Sequence, residues 1–404
     1  MQKKRMLPMQ GMKVVDLTKV LAGPLCGQYL GEYGADVIKV ETVGGGDDTR
    51  RWLPQTQGES AIFVAVNHNK RSIAVDLKTQ EGREIVHRLV KDADIVLQGF
   101  GGGTAKKLGV DYETLSALNA QLIYCEISGF GRNGPLGNAP GYDVMLQAFS
   151  GMLSTMGHPE GDYARASFSP VDIGTAMNAL SGVLAAVIER GRTRKGVYLE
   201  ISLLDTALGF MTYMAQSYWQ TGVNPRPMGT AHPSMVPYQA FDAQNGAIML
   251  GAGNDAQWQR FCAVAGLETW VNHPDFATNA LRVANHDKVV ALLKPVMKSK
   301  TVAQWMASLE PVSVPCSPIH TLGQALAHPQ VQARAIVTET VHPVLGRVQN
   351  IGHPVQFQHQ PRSASRPAPL LGEHTKEILH QLGYDVQQIA GLERHGVVVA
   401  AHMQ

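Results

Sequence analysis

One acidic side chain, Asp172, stands directly before the clearest predicted helix of the sequence. Apolar residues recur at spacings of three and four from Ile173 to Ile188, and Gly191 follows where a helix C-cap would stand. Asp172 could cap this helix, because an aspartate there accepts hydrogen bonds from the first unpaired amides. It could also be a nucleophile, because a carboxylate that faces the positive end of a helix stays ionised near neutral pH. Taken alone, the position favours the capping role.

Two clusters of glycine could hold a phosphate group. Residues 44–46 and 101–103 are glycines at the predicted ends of strands, and two cations follow each cluster. Backbone amides and a nearby cation can bind phosphate. Glycines also form simple turns and cations are often solvated, so both interpretations stay open. The cations are Arg50 and Arg51 after the first cluster, and Lys106 and Lys107 after the second.

The first predicted helix carries glycines at a regular spacing. Gly23, Gly27 and Gly31 recur every four residues, which places them on one helix face and predicts close packing of that face. A dinucleotide-binding turn would instead require GxGxxG, so we do not predict a nicotinamide cofactor. The sequence also lacks GxxxxGKS or GxxxxGKT, GxSxG and HExxH, which excludes P-loop NTPases and two common classes of hydrolase.

The composition excludes further classes of protein. The 404 residues include 35 Lys and Arg against 33 Asp and Glu, so the charge predicts no nucleic-acid partner. With 44% hydrophobic and 17% charged residues we expect a compact chain, and this length favours about two domains. No run approaches the roughly 20 apolar residues that a bilayer needs, and no apolar segment follows the charged start. We therefore predict neither a membrane span nor a signal peptide.

The four cysteines lie far apart in the sequence and form no CxxC pair. This spacing argues against a zinc ribbon, a dithiol redox site and a disulfide scaffold, and we predict no metal site. A reducing compartment, the cytoplasm, fits such cysteines best. The residues are Cys26, Cys125, Cys262 and Cys316.

Short apolar runs alternate with helical segments in the N-terminal part of the chain. The first helix is predicted after a Gly23-Pro24 turn and ends near Tyr33. Such alternation builds an α/β fold, a parallel sheet with helices on both faces. Strands are predicted from Val14 to Leu17, in DVIKVE ending at Glu41, and in the segments that start at Arg71, Asp94 and Gln121.

Four prolines between Val223 and Ala240 prevent a regular helix and predict a connector out of the first domain. Beyond it, Asn245-Gly246 predicts a hairpin turn and Asn254-Asp255 a helix cap, so we expect a smaller α+β domain. A second linker-like segment starts at Gln360. We predict the first part of the large domain at 1–222, a linker at 223–240, the small domain at 241–325, and a return linker with the C-terminal part of the large domain at 326–404.

Several stretches together resemble the class III CoA-transferases, also called the CaiB/BaiF or formyl-CoA transferase family. The active-site region of that family resembles three consecutive parts of this sequence: SPVDIGTAM, the helix after it, and KGVYLEISLLDTAL. Further matches follow in the same order over almost the whole chain. They are LAGP at Leu21, GADVIKVE at Gly34, NKRSIAVDLK at Asn69, ISGFGRNGP at Ile127, PGYDVMLQAFSG at Pro140, PCSP at Pro315, HPQVQAR at His328 and APLLGEHT at Ala368.

This resemblance implies transfer of CoA from an acyl-CoA to a carboxylic acid, with covalent intermediates on Asp172. A mixed anhydride and an aspartyl-CoA thioester both have high acyl-transfer potential, so neither ATP nor a metal is required. Acyl-CoA is then a substrate, and no cofactor is bound permanently. The resemblance also implies a Rossmann-like large domain with a parallel sheet and an interlocked homodimer.

Positions that contact CoA in the family map onto seven residues. Lys107 is implied as a phosphate contact, because it retains the charge of the arginine that the family usually has. The family's Asn-Phe pair is Gly99-Phe100 here, so a side-chain contact from asparagine is absent. The seven implied residues are Leu21, Ala22, Thr42, Val75, Phe100, Lys107 and Tyr142.

Other departures from the family concern the acyl group. Leu21 replaces a glutamine of the formyl-CoA transferases, and residues 229–232 replace their glycine lid, so we do not predict formyl-CoA and oxalate as substrates. Lys19, Arg226 and His232 lie near the mapped site or in its connector and suggest a dicarboxylate such as succinate. Solvated connector residues remain the simpler interpretation.

Two alternatives stay open at this point. The same family contains α-methylacyl-CoA racemases, which need a second base beside the aspartate. Their His-Asp pair matches Tyr142-Asp143 here, and an unperturbed tyrosine, with a pKa of about 10, is a poor base at neutral pH. The other alternative is a non-catalytic CoA-binding protein, in which Asp172→Ala would leave both CoA binding and function intact.

Overall fold

The computed structural model describes residues 7–101, 103–358 and 366–401. Gly102 and the first half of the linker-like segment predicted from Gln360, residues 360–365, lie outside these residues. The boundaries that the sequence suggested for the two domains stay a prediction. The chain divides into two compact units: unit 1 comprises Met1–Met152, Ala166–Gly222 and Arg334–Gln404, and unit 2 comprises Leu153–Arg165 and Val223–Ala333.

Most strands are short runs of β-branched and other apolar residues, as β propensity favours. In the described residues the strands are β1 (Lys13–Asp16), β2 (Asp36–Glu41), β3 (Gln55–Thr56), β4 (Glu59–Ser60), β5 (Lys70–Val75), β6 (Ile95–Gln98), β7 (Ile123–Ser128), β8 (Val197–Ser202), β9 (Tyr238–Ala243), β10 (Gly246–Gly251), β11 (Cys316–Pro318), β12 (Val337–His342), β13 (Gly346–Ile351) and β14 (Val398–Val399).

The central sheet of unit 1 has the order β14-β5-β2-β1-β6-β7-β8. Neighbours from β5 to β8 are parallel, and β14 pairs antiparallel with β5. In chain order the parallel strands follow the 3-2-1-4-5-6 arrangement of a Rossmann fold. Strands β5 and β6 are buried along their whole length, because helices cover both faces of the sheet. The predicted α/β class is confirmed; β14 is an addition that the sequence did not reveal.

Helices connect these strands, and several begin at a side chain that accepts a hydrogen bond from the first turn, as Thr79 and Asp111 do. In the described residues the α-helices are α1 (Ala22–Glu32), α2 (Ala61–Asn67), α3 (Gln80–Lys91), α4 (Thr104–Lys107), α5 (Tyr112–Leu118), α6 (Asp143–Phe149), α7 (Pro170–Thr193), α8 (Leu203–Phe210), α9 (Thr212–Thr221), α10 (Asp255–Ala265), α11 (Asn279–Ala284), α12 (His286–Met297), α13 (Val302–Leu309), α14 (Leu322–Ala327), α15 (Pro329–Ala333), α16 (Thr375–Gln381) and α17 (Val386–Arg394).

Helix α1 starts earlier than the sequence predicted. Gly23 and Pro24 lie in its first turn and do not form a separate turn before it. Proline is tolerated there, because amides of the first turn have no partner within the helix. The predicted glycine face is confirmed: a Cβ on Gly27 would lie 2.9 Å from Oδ2 of Asp16, and one on Gly31 would lie 2.9 Å from a backbone oxygen. Helix α1 therefore packs directly on the sheet.

Helix α7 is longer than predicted at its C-terminus. Gly191 lies inside the helix, and Arg194 ends it in the left-handed region with φ 58°, donating its N–H to the Arg190 oxygen at 2.9 Å. By length and composition alone, α7 could cross a membrane. In unit 1 it packs against α1 and the central sheet, as the core helix of a folded domain does.

Unit 2 combines an antiparallel sheet of order β11-β10-β9 with helices. Its core contains the fully buried side chains of Trp258, Phe261 and Trp305. A three-stranded sheet covered by helices agrees with the smaller α+β unit that the sequence predicted.

Two local predictions in unit 2 concern turns and caps. Asn254 caps α10 in a reciprocal box with Gln257, as predicted. The predicted hairpin is present between β9 and β10, but its two turn residues are Gln244 and Asn245. Gly246 belongs to β10, because it already pairs with the last residue of β9.

Two buried ion pairs lie under the loop that follows β1. Lys70 Nζ donates to Asp16 Oδ2 at 2.8 Å, and Lys39 Nζ lies 2.9 Å from Asp47 Oδ2; all four side chains are inaccessible to solvent. Lys70 also donates to Asn67 Oδ1 at 2.8 Å and to a backbone oxygen at 2.7 Å. Burial would raise the pKa of Asp47, but Lys39 and the hydrogen bonds from Thr49 together outweigh burial and hold that pKa at about 2. Both pairs are therefore charged in the folded protein at neutral pH.

Removing one member of a buried pair should be far more damaging than removing one of an exposed pair. Lys70→Met leaves the Asp16 carboxylate buried without its cation, which costs about 3–5 kcal/mol. Lys13→Met is the control, because Lys13 lies 3.8 Å from Asp92 on the surface, where such pairs contribute about 1 kcal/mol or less. Thermal unfolding followed by circular dichroism should show a much larger loss of Tm for Lys70→Met. Equal losses would show that the buried pair does not hold this part of the fold.

Candidate active site

The strand order of the central sheet reverses at the carboxyl edge between β1 and β6. From β1 the chain continues to β2 and β5 on one side, and then to β6, β7 and β8 on the other. Open α/β sheets bind ligands at such a switch point. A cavity of about 250 Å³ opens there. Its lining comprises residues 17–23, 99–101 and 127–129, Arg132, residues 139–142, Asp172 and Leu203.

Asp172 lines this cavity from the first turn of α7, and it does not cap the helix. The cap is Asp143, whose Oδ2 accepts the backbone N–H of Val171 at 2.8 Å and that of Asp172 at 3.1 Å. Ser169 occupies the N-cap position without a side-chain hydrogen bond to the helix. The capping role favoured by the sequence is therefore wrong, because another carboxylate already satisfies these amides.

Asp143 is itself held in place by the surrounding structure. It is buried, and the side-chain nitrogen of Gln147 donates to its second oxygen. The Gln147 Oε1 in turn accepts the N–H of Ala166 at 3.0 Å. This chain of contacts joins α6 to the start of α7, so it fixes the turn that carries Asp172.

The Asp172 carboxyl group has no ion-pair partner within residues 7–101, 103–358 and 366–401. Burial and the negative charge of Asp143 raise its pKa to about 7. A carboxyl group facing a helix N-terminus was expected to stay ionised, but here burial and the second carboxylate outweigh the helix. Near neutral pH the Asp172 carboxyl group can therefore change between its protonated and its ionised form.

The loop after β1 forms one wall of the cavity, and its backbone is strained. Val20 has φ 72°, a region that β-branched residues rarely adopt. Its N–H donates to Asp47 at 3.2 Å. On the other side, the Thr18 N–H donates to Asp16 at 3.0 Å, and the Thr18 oxygen accepts from Lys39 Nζ at 2.9 Å. The two buried ion pairs thus hold this wall in position.

Five of the eight predicted site residues line the cavity. The other three lie elsewhere along the carboxyl edge: Thr42 follows β2, Val75 ends β5, and Lys107 is exposed at the end of α4. Val75 is 1% exposed, so neither its side chain nor its backbone reaches solvent in unit 1. The contact of these residues with CoA stays a prediction. The five lining residues are Leu21, Ala22, Phe100, Tyr142 and Asp172.

The cations after the two glycine clusters differ in their surroundings. Arg50 donates to Glu41 through two nitrogens, each at 2.7 Å, and stacks 3.7 Å over the ring of Phe63. The charge of Arg50 is therefore compensated inside unit 1, whereas Arg51 is exposed and contacts Asp48 at 3.4 Å, so one cation of the first cluster has a structural role and the other stays accessible. Lys106 and Lys107 are exposed, so the second cluster retains cations that a phosphate could reach.

Arg132 lines the cavity and was not singled out from the sequence. Its guanidinium group donates to Glu126 and, at 2.7 Å, to the backbone oxygen of Phe100. It therefore ties the loop after β6 to β7. An arginine in a loop after a predicted strand is a weak signal, and its two partners become evident only from the fold.

The three basic residues considered for a dicarboxylate lie in different units. Lys19 lines the cavity, whereas Arg226 and His232 belong to unit 2. Within the described part of the chain, no group of three or more His, Cys, Asp or Glu side chains could hold a metal ion. Of these three basic residues, Lys19 is the one that lines the same cavity as Asp172.

Comparison with known proteins decides the family. The model of "CoA-transferase family III" matches residues 9–375. The chain belongs to CoA-transferase family III. A human relative named succinyl-CoA:glutarate CoA-transferase is 36% identical over 393 residues, covering 97% of this chain and 90% of its own. A relative from Agrobacterium fabrum named succinate-glutarate CoA-transferase is 37% identical over 382 residues, covering 93% of this chain and 96% of its own.

A solved structure agrees with this membership. The structure of a CaiB/BaiF family protein from Brucella suis has a TM-score of 0.84 and 37% identity, and the match covers 94% of this chain and 100% of that one. The resemblance read from the motifs is therefore confirmed. The protein is a CoA-transferase, an enzyme that uses an acyl-CoA and a carboxylic acid as substrates.

The raised pKa of Asp172 predicts how the activity of this CoA-transferase depends on pH. If the carboxylate form reacts, kcat/KM should rise with pH through about 7, because the ionised fraction of Asp172 grows there. Asp143→Asn removes the negative neighbour, so the rise should move to lower pH. Initial rates between about pH 5.5 and 9 test this. A rise that stays at the same pH in Asp143→Asn, with an intact fold, would contradict it.

Proposed function

We propose that this enzyme exchanges CoA between two carboxylic acids through covalent intermediates on Asp172. The position of the Asp172 carboxyl group carries the proposal. It lies at the cavity of the switch point, half-buried and without a cation, and its pKa is about 7. A carboxylate that no cation holds is free to attack a carbonyl carbon, and burial limits hydrolysis of the product.

Each step of the proposed reaction replaces one acyl bond by another. An Asp172 oxygen attacks the thioester carbon of the donor, the C–S bond breaks, and a mixed anhydride and CoA thiolate form. The thiolate attacks the side-chain carbonyl carbon of Asp172, which releases the donor acid and leaves an aspartyl-CoA thioester. The acceptor carboxylate then forms a second anhydride and displaces the thiolate. The thiolate finally takes the acceptor acyl group and frees the carboxylate.

Negative charge develops on a carbonyl oxygen in every one of these attacks. We assign its stabilisation to backbone amides of the glycines that line the cavity, Gly99, Gly101 and Gly129, because the Phe100 amide between the first two already donates to the Gln98 side chain. Gly129 packs so closely on Gly141 that an added Cβ would lie 2.7 Å from the Gly141 Cα. Side chains are thereby excluded at this point, and the backbone itself forms the cavity wall.

We further propose a dicarboxylate, such as succinate or glutarate, as donor or acceptor. Two relatives from different organisms are named for succinyl-CoA or succinate and for glutarate. The cavity that contains Asp172 is also lined by Lys19, and by Arg132, whose charge is paired with Glu126. Cations in a partly buried cavity favour a substrate that keeps a negative charge after its other carboxyl group has reacted.

The racemase alternative receives less support from the geometry. Its second base would be Tyr142 or Asp143. Both oxygens of Asp143 already accept hydrogen bonds, from Gln147 and from the amides of Val171 and Asp172, so Asp143 acts as a structural group. Deuterium uptake at Cα without an acceptor acid would favour the racemase, whereas CoA exchange that depends on the acceptor favours the transferase.

Asp172→Asn should lower kcat by roughly 10⁴-fold or more, because the nucleophile is lost. Folding should survive: a carboxyl group whose pKa rises from 3.8 to about 7 on folding disfavours the folded state as pH increases through that range, so the Tm at pH 8 should stay equal or rise. CoA binding by calorimetry should persist. In the wild type, an acyl-CoA with hydroxylamine should produce a hydroxamate on the Asp172 peptide, detected by mass spectrometry. Full activity of the variant would favour a route without this intermediate.

We also propose that the enzyme is a homodimer. Helix α9 has no buried residue in the single chain, yet Tyr213 and Trp219 on it are 61% and 72% exposed. Met145 and Phe149 of α6 are also largely exposed. Exposed aromatic and other large apolar side chains are typical of a protein interface. A second copy of the chain fits it, in keeping with the interlocked dimer that the resemblance implies.

Light scattering after size-exclusion chromatography should give twice the chain mass of 43.7 kDa. Trp219→Glu places a charge in the proposed interface, so the monomer fraction should increase. Leu292→Glu is the matched control, because Leu292 is an exposed apolar residue of unit 2. A wild-type mass of a single chain at micromolar concentration would contradict the dimer.

The cytoplasm is the compartment that we propose for the enzyme. All four cysteines are unpaired, and burial raises the pKa of Cys125 to about 12. Protonated, buried thiols are unreactive and suit a reducing compartment. Cell fractionation with an antibody to the enzyme tests this, and recovery in an oxidising compartment would contradict it.

A further inference from the structure

Two cationic residues line the Asp172 cavity, and neighbouring carboxylates compensate their charges to different degrees. The Arg132 guanidinium group pairs with Glu126 and donates to the Phe100 oxygen, and its side chain is 24% exposed. Its charge is therefore largely compensated within the cavity wall. Lys19 has no such carboxylate within hydrogen-bond distance in the described chain. Lys19 is thus the cation that remains available to a ligand.

The partner of Lys19 holds it only weakly. Nζ lies 3.8 Å from Oδ2 of Asp48, and the two side chains are 35% and 48% exposed. Solvated ion pairs of this kind contribute little free energy. Asp48 also accepts from Arg51 at 3.4 Å, so it keeps a cationic neighbour when Lys19 turns towards the cavity. Breaking the contact between Lys19 and Asp48 therefore costs little free energy.

The backbone of Lys19 is fixed although its side chain is not. Thr18 before it and Val20 after it are both anchored to buried carboxylates, those of Asp16 and Asp47. The Cα atom is therefore held at the cavity wall, while the flexible four-carbon side chain can swing. A side chain with a fixed Cα atom and a mobile ammonium group suits a substrate whose second carboxylate lies at some distance from the reacting carboxyl group.

We propose that Lys19 binds the distal carboxylate of a dicarboxylate substrate and so selects dicarboxylic over monocarboxylic acids. The inference rests on the proposed function, because it assigns a residue to the substrate class of the same cavity. One carboxyl group of the acid reacts at Asp172, and the other accepts a charge-assisted hydrogen bond from Lys19 Nζ. A monocarboxylic acid of equal length leaves this ammonium group without a partner, so it gains nothing from Lys19.

The test compares glutarate with valerate, a monocarboxylic acid of the same chain length, as acceptors with saturating succinyl-CoA. Lys19→Met should lower kcat/KM for glutarate about 10- to 100-fold, the range expected for one hydrogen bond to a charged group. The kcat/KM for valerate should stay within about twofold, since valerate makes no such bond. Lys19→Arg should retain most of the preference for glutarate. Lys294→Met, which removes an exposed charge in unit 2, is the control and should change neither value.

Several outcomes would overturn the assignment. Equal losses for glutarate and valerate would mean that Lys19 acts on CoA or on the fold, and unchanged rates would mean that it does not contact the acid. A wild type that prefers valerate would also contradict it. Hydroxamate formation on Asp172 in Lys19→Met separates the two proposals: if it persists while the preference for glutarate is unaltered, the Lys19 assignment fails and the covalent mechanism stands. If the wild type forms no hydroxamate and transfers CoA to neither acid, both fail.

Discussion

Two buried ammonium groups hold the loop on which the active site depends. Asp47, Asp16 and Glu41 raise the pKa of Lys39 against the opposing effect of burial. For Lys70 burial is the stronger effect, and the pKa falls to about 8 in spite of Asp16. Such a charge cluster is tolerable only when it is complete, because a member that loses its partner must either stay charged without compensation or change its protonation state, and both destabilise the fold. Its hydrogen bonds to residues 18 and 20 are what keep a strained backbone at the sheet edge.

A buried charge also determines the structure of the opposite wall of the cavity. Asp143 satisfies the first amides of α7, which leaves both oxygens of Asp172 free of the helix. Its negative charge also adds to burial in raising the pKa of Asp172 to about 7. A neighbouring carboxylate thus keeps the reactive one poised between its protonated and ionised forms. Perturbed pKa values of this kind are typical of residues that do chemistry.

The strands could be predicted because buried parallel strands read as short apolar runs, and the glycine face of α1 could be predicted because its spacing matches a helix. Contacts between residues far apart in the sequence could not be predicted in this way. Asp143 caps a helix that begins 27 residues later, at Pro170, and nothing local marks it as a cap. Lys70 and Asp16 pair across 54 residues of chain. The family resemblance already implied a chemical role for Asp172, but only the fold shows that Asp143, and not Asp172, caps the helix.

The most direct measurement is a crystal structure of the enzyme after brief exposure to an acyl-CoA. We expect electron density that joins the CoA sulfur to the carboxyl carbon of Asp172, with the pantetheine arm in the cavity lined by Leu21 and Tyr142. Coenzyme A bound instead in the neighbouring cavity lined by Tyr112 and Tyr198, with its sulfur remote from Asp172, would contradict the proposed site.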